Sequence, residues 1–172
     1  GVLFAAAMTG AAPAPSLDLA LAQMGTSQHL LLEELLGLEA EHPRAIHAAT
    51  DITGFGLLGH LGEMLRNPGL KVVLKGPEIP SLAGALSLLE NGYASSLAPA
   101  NRRAWSLLDN GCVDLQLAGI APGSREHQAL LQLLVDPQTC GPLLISVQAD
   151  ISQQLTSQPN TAWTDIGGVQ QR

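Results

Sequence analysis

The chain has 172 residues and carries 8 Lys and Arg against 15 Asp and Glu, a formal net charge of −7 with 46% apolar and 13% charged residues. That hydrophobicity and low charge exclude a disordered chain, and the length suffices for one core without disulfide staples. Aromatics at 3% and scattered basic residues exclude a base-stacking or phosphate-backbone surface, so no nucleic-acid partner is expected.

Gly1–Met8 is short and apolar and reads as a buried strand, closed by the breaker-rich Thr9–Pro15. Ser16 reads as the N-cap of a helix ending near Gly25, and Thr26 or Ser27 as the cap of the next. Leu31, Leu35 and Leu38 give that second helix an apolar stripe, with Glu33 and Glu34 on a solvated side and Pro43 beyond its end. Ala45–Ile52 reads as a strand leading into Gly54-Phe55-Gly56. Leu57, Leu58, Leu61 and Met64 then follow at helical spacing up to Asn67-Pro68-Gly69.

Leu70–Lys75 is the clearest strand. Ser81 reads as the cap of a helix to Glu90, Asn101–Leu108 as a helix and Val113–Leu117 as a strand. Ser124 caps a helix to Leu134. The turn Asp136–Pro142 leads into the strand Leu143–Val147, followed by a helix over Asp150–Ser157 and a last strand over Ala162–Val169. This interleaving predicts an α/β layered domain with a mixed β-sheet and packed helices. No run of 18 apolar residues occurs, so no membrane span is expected. The two cysteines, Cys112 and Cys140, are expected as unbridged thiols of a cytoplasmic protein. A start in the middle of an apolar run suggests that residues 1–172 are a fragment of a longer chain.

The informative segment is Thr50-Asp-Ile-Thr-Gly-Phe-Gly-Leu-Leu-Gly-His60. A carboxylate at a strand end precedes a glycine-rich turn that opens a helix. Two jobs are open to Asp51: capping the helix, or holding a hard cation shared with phosphate oxygens. The five histidines do not converge in sequence, Cys140 has no adjacent base, and no serine-hydrolase elbow, zinc-protease motif or Walker loop is present.

That segment, with His47-Ala-Ala just before it, resembles the signature of the C-terminal domain of selenophosphate synthetase (selenide, water dikinase). Gly1–Met8, Ser95–Asn101 and Asp136–Thr139 followed by Leu143-Leu-Ile145 are similar to further stretches of that family, in the same order. Three positions depart from its pattern. Cys140 stands in place of Ser, Pro142 in place of Gly, and Ser27-Gln28 in place of a Ser-Asn pair.

The resemblance implies a PurM-like (aminoimidazole ribonucleotide synthetase) fold and an N-terminal ATP-binding domain in the same chain. It also implies a homodimeric, ATP-dependent enzyme acting on selenide, with AMP and phosphate as co-products. Mg²⁺ is the implied cofactor, and Asp51 is the one metal ligand that carries over. The catalytic residues and the rest of the nucleotide site belong to the family's N-terminal region, so these 172 residues alone are expected to be inactive. Two alternatives stay open: another PurM-like ATP-dependent enzyme, and a non-catalytic scaffold or regulatory domain.

Overall fold

A computed structural model describes residues 1–65, 69–109 and 113–171. Helix α1 (Val2–Ala7) comes first, followed by α2 (Ala14–Met24) and α3 (His29–Glu41). Strand β1 (Ile46–Asp51), helix α4 (Gly56–Met64), strand β2 (Leu70–Lys75) and helix α5 (Ala85–Glu90) come next. The chain continues with α6 (Ala98–Asp109), β3 (Val113–Ala118), α7 (Arg125–Leu134), β4 (Leu143–Val147), α8 (Ala149–Thr156) and β5 (Gly167–Gln171). Asn67, Pro68 and Cys112 lie outside the described residues, so the expected helix stop and one of the two thiols do too. Cys140 is a free cysteine.

The strands form two units. In the mixed sheet β3-β2-β5, β2 is parallel to β3 and antiparallel to β5. The others form an antiparallel ribbon, β1-β4, whose register shifts between Ile46 and Ala48 and leaves His47 as an extra residue. Hydrogen bonds from Gln148 N to Ala45 O and from Ile52 N to Pro142 O extend the ribbon at both ends.

Three aliphatic clusters hold these parts together. The largest joins Leu57, Leu58 and Leu61 of α4 to Val72 and Leu74 of β2, Leu130 and Leu134 of α7, and Leu144 of β4. A second packs α1 against α2, α5 and α7, and a third packs Leu38 of α3 against Ile151 and Leu155 of α8. No helix of the described residues is long and apolar enough to cross a membrane.

Several local expectations need correction, among them the cap of α3, which is Gln28 rather than Thr26 or Ser27, and the start of α6, which is Ala98 rather than Asn101. The first segment is a helix rather than a strand. Val2, Leu3 and Ala6 are its buried residues, a spacing that suits one helical face, and its Ala run favours helix. Ser16 lies inside α2, which starts at Ala14. Proline is tolerated in a first turn because the N–H it lacks has no partner there, so Pro15 does not delay the helix. Helix α5 starts at Ala85, because Gly84 takes a left-handed conformation (φ 86°) and is itself the N-cap. Strand β5 starts at Gly167, because local bonds occupy the residues before it, from Trp163 N to Thr161 Oγ1 and from Gly167 N to Asp165 Oδ1.

Candidate functional site

Asp51 is the last residue of β1, paired with Leu143 of β4. Along β1 exposure alternates, which places His47, Ala49 and Asp51 on the open side. The next residue, Ile52, is 2% exposed and anchors the strand end in the main core. Asp51 therefore stands at the rim of a fixed strand. Its carboxylate has no hydrogen-bond or ion-pair partner among the described residues. It does not cap α4: the N-cap is Phe55, and no side chain bonds to that helix end.

An open groove of about 570 Å³ borders Asp51. Its walls include Ser27 and Gln28 from the α2–α3 link, Leu32 and Leu35 of α3, and Cys140 and Leu143. Gln28 Nε2 donates to the Gly141 carbonyl, while Gln28 Oε1 is buried with no partner. Cys140 is exposed and has φ 53°, the left-handed region that L-residues avoid. The turn thus places Cys140, not its glycine, in the left-handed region. Pro142 follows, and its carbonyl accepts from Ile52 N at 2.9 Å. Two of the three departures from the family pattern, Cys140 and the Ser27-Gln28 pair, line this groove. A larger cavity, about 860 Å³, is lined mostly by aliphatic side chains. The smaller groove is the candidate because it holds the exposed carboxylate.

The turn after Asp51 is tied down from two directions. The Thr53 carbonyl accepts from Gly56 N at 3.0 Å and from Gln138 N at 3.1 Å. The Gly54 carbonyl accepts from Asn101 Nδ2 at 2.8 Å, and the same nitrogen donates to the Val135 carbonyl at 2.9 Å. Gly56 has φ 70°, and a Cβ there would lie 2.8 Å from the Val135 carbonyl carbon. Only glycine allows the turn to lie this close to the end of α7. Segments 50–60, 95–101 and 136–143, which the sequence offers as separate stretches, are thus one assembly. Asn101 is the side chain that sequence reasoning missed. It closes the Ser95–Asn101 stretch that resembles the family, but nothing in the sequence shows that its amide would reach Gly54 and Val135.

The histidines stay apart. His47 is exposed on the ribbon bulge. His60 is 7% exposed in α4, with Nε2 3.1 Å from Thr53 Oγ1. Its Nδ1 is 3.4 Å from Glu63 Oε2 without forming a hydrogen bond. Among the described residues no three His, Cys, Asp or Glu side chains form a group that could hold a metal ion. Three acids of α3 have partners, Glu33 Oε1 lying 3.2 Å from His29 Nε2. Glu39 accepts from Arg44 N and Ile46 N, and Glu34 from Trp163 Nε1. A hydrogen bond from Lys75 Nζ at 2.8 Å holds Asp165 below the ordinary carboxylate range, partly opposed by burial.

Residues 18–172 match the family described as AIR synthase related protein, C-terminal domain. The chain belongs to this family. Within it, the chain is 34% identical over 149 residues to the selenide, water dikinase of Agathobacter rectalis, covering 87% of this chain and 38% of that protein. It is 33% identical over 120 residues to the selenide, water dikinase of Pasteurella multocida, covering 70% of this chain and 30% of that one. It is 38% identical over 101 residues to that of Burkholderia pseudomallei, covering 59% of this chain and 25% of that one. This AIR synthase related domain therefore spans between 25% and 38% of these relatives' length.

Asp51 fits a partial Mg²⁺ site. The ion takes oxygen ligands, commonly one or two carboxylates together with substrate phosphates and waters. The domain offers one exposed carboxylate without a partner among the described residues, and among those residues no group of three His, Cys, Asp or Glu side chains gathers to favour another metal.

Proposed function

We propose that this chain is the C-terminal domain of a cytoplasmic, ATP-dependent selenide, water dikinase, which makes selenophosphate, AMP and phosphate from ATP, selenide and water. The similarity to curated dikinases, over 59–87% of the chain, carries the reading. In it, Asp51 contributes one carboxylate to Mg²⁺, and the ion supplies positive charge that offsets the polyphosphate. The remaining ligands, the nucleotide contacts and the nucleophile come from an N-terminal ATP-binding domain of the same chain, in a homodimer. The β1–β4 ribbon and the braced turn present Asp51 to that domain.

The test is selenide-dependent AMP release by the full-length enzyme. Asp51→Asn removes the charge and leaves the strand and turn intact. Activity should fall at least about tenfold, which corresponds to roughly 1.4 kcal/mol of transition-state stabilisation. The 172-residue chain alone should release no AMP. Near wild-type turnover of the Asn variant at limiting Mg²⁺ would remove the cation from the proposal, and selenide-independent turnover by the parent would remove the dikinase reading.

A further inference from the structure

Asp51 has no partner of its own among the described residues, so its direction is set by the backbone on either side. On one side is the ribbon, closed by the bond from Ile52 N to Pro142 O. On the other is the turn 53–55, and helix α4 offers no side-chain cap to fix it. The Thr53 carbonyl makes two backbone bonds there, Thr53 Oγ1 lies 3.1 Å from His60 Nε2 of α4, and the Gly54 carbonyl accepts from the Asn101 amide. Asn101 is 7% exposed and stands in the first part of α6, with its backbone N–H bonded to Leu97 O. One nitrogen serves two segments: the Gly54 carbonyl three residues after Asp51, and the Val135 carbonyl just before the turn that bears Gln138. Val135 is 2% exposed, so its carbonyl has little access to water if the amide is removed. An amide that spends both hydrogens on the two sides of a site holds those sides in register.

We propose that Asn101 is a positioning residue for Asp51, locking the turn that leaves the carboxylate to the end of α7 and so fixing where the cation is held. The proposal rests on the cation-binding reading of Asp51. Residues that orient a metal's ligands typically change affinity or activity by about 10–100-fold when replaced.

The experiment compares Asn101→Leu, which keeps the size and removes the donors, with Asn101→Ser, which is too short to reach both carbonyls. Both are made in the full-length enzyme, with Asp51→Asn alongside. Folded fraction is read by circular dichroism, and activity is expressed per folded molecule against Mg²⁺ concentration. Half-saturating Mg²⁺ should rise and kcat should fall, together by at least about tenfold. KM for selenide should barely move. In the 172-residue chain, amide exchange at Gln138 and Gly56 should accelerate in both variants, while Leu61 within α4 keeps its protection.

A purely structural role would lower only the folded fraction and leave the Mg²⁺ dependence unchanged. That result, with Asp51→Asn still at least about tenfold less active, overturns the positioning role and leaves the dikinase reading standing. Full activity in Asp51→Asn overturns both the cation reading and the role of Asn101 that depends on it.

Discussion

Replacing Gly56 with Ala tests whether the braced turn depends on close backbone approach. Two costs add at this position. At φ 70° the new side chain must adopt a left-handed conformation, which costs an L-residue about 1–2 kcal/mol. Its Cβ would also lie 2.8–2.9 Å from the Val135 carbonyl carbon, the Leu134 carbonyl oxygen and the Val135 Cα. These are backbone atoms at the end of a packed helix and cannot swing aside as a side-chain tip can. Forcing them apart resembles overpacking a core, about 1–3 kcal/mol. The expected loss is therefore roughly 2–5 kcal/mol, a large share of the 5–15 kcal/mol typical of a domain.

Gly10→Ala is the control. Its φ is 74°, but a Cβ there would meet nothing within 4 Å. It carries the conformational cost alone, and the unfolded-state entropy change is common to both variants. Urea and thermal unfolding of the two variants isolate the steric part. Gly56→Ala should melt about 2–4 °C lower for each kcal/mol by which its loss exceeds that of Gly10→Ala. Equal losses, within about 0.5 kcal/mol, would refute the close approach of the turn to α7.

Ser124 caps α7 by accepting from His127 N at 3.0 Å. Ser124→Ala should cost about 1 kcal/mol in urea unfolding, and Ser124→Asp should restore most of it. The Lys75–Asp165 pair joins β2 to the segment before β5, and both side chains are more than a third exposed. Screening limits its worth to about 0.5 kcal/mol. Because the folded carboxyl lies below its ordinary value, the contribution is present above that value and fades as pH falls through the lowered one. The stability difference between Lys75→Met and the parent chain should therefore be small at neutral pH and vanish in strong acid, as read from urea midpoints across that range.

Elements specified by their own residues were legible in the sequence. Strand β2 is β-branched and bounded by breakers, and α7 has a serine cap with a true hydrogen bond to His127 N. Asp51 was legible as a carboxylate between a strand and a glycine turn. Its failure to cap α4 was not, because four residues separate it from the helix and the first helical residue, Gly56, needs a left-handed φ. The groove itself was invisible. Gln28, Asp51 and Cys140 are far apart in the chain and meet only because β1 and β4 pair and the α2–α3 link lies over their end. Ser16 and Ser81 misled for one reason: a serine before an apolar run is a cap only if the helix starts there. A proline in the first turn of α2 and a left-handed glycine before α5 decided otherwise.

The first helix depends on a residue 134 positions away. Asp136, 6% exposed in the turn after α7, accepts from Val2 N at 3.0 Å. A carboxylate at a helix N-terminus satisfies an orphan donor and favours the helix dipole. For a six-residue helix, too short to persist on its own, such a tie matters. Asp136→Ala leaves the Val2 N–H buried without a partner, a cost of about 1–3 kcal/mol. Asp136→Asn can keep one acceptor. It then places an N–H₂ group at the Oδ1 position, which is buried and unpartnered, or turns that group toward Val2 N and loses the bond.

Both variants should loosen α1 before the rest of the fold, because its contacts are confined to the second cluster while β2, α4 and α7 keep their own. Hydrogen exchange read by peptide mass should show α1 opening about 10–100-fold more often, the equivalent of roughly 1.4–2.8 kcal/mol. Peptides from α4 and β2 should be unchanged. Uniform acceleration across the chain would mean that Asp136 supports the whole fold, and unchanged exchange in α1 would mean that its apolar contacts, not the carboxylate, hold the helix in place.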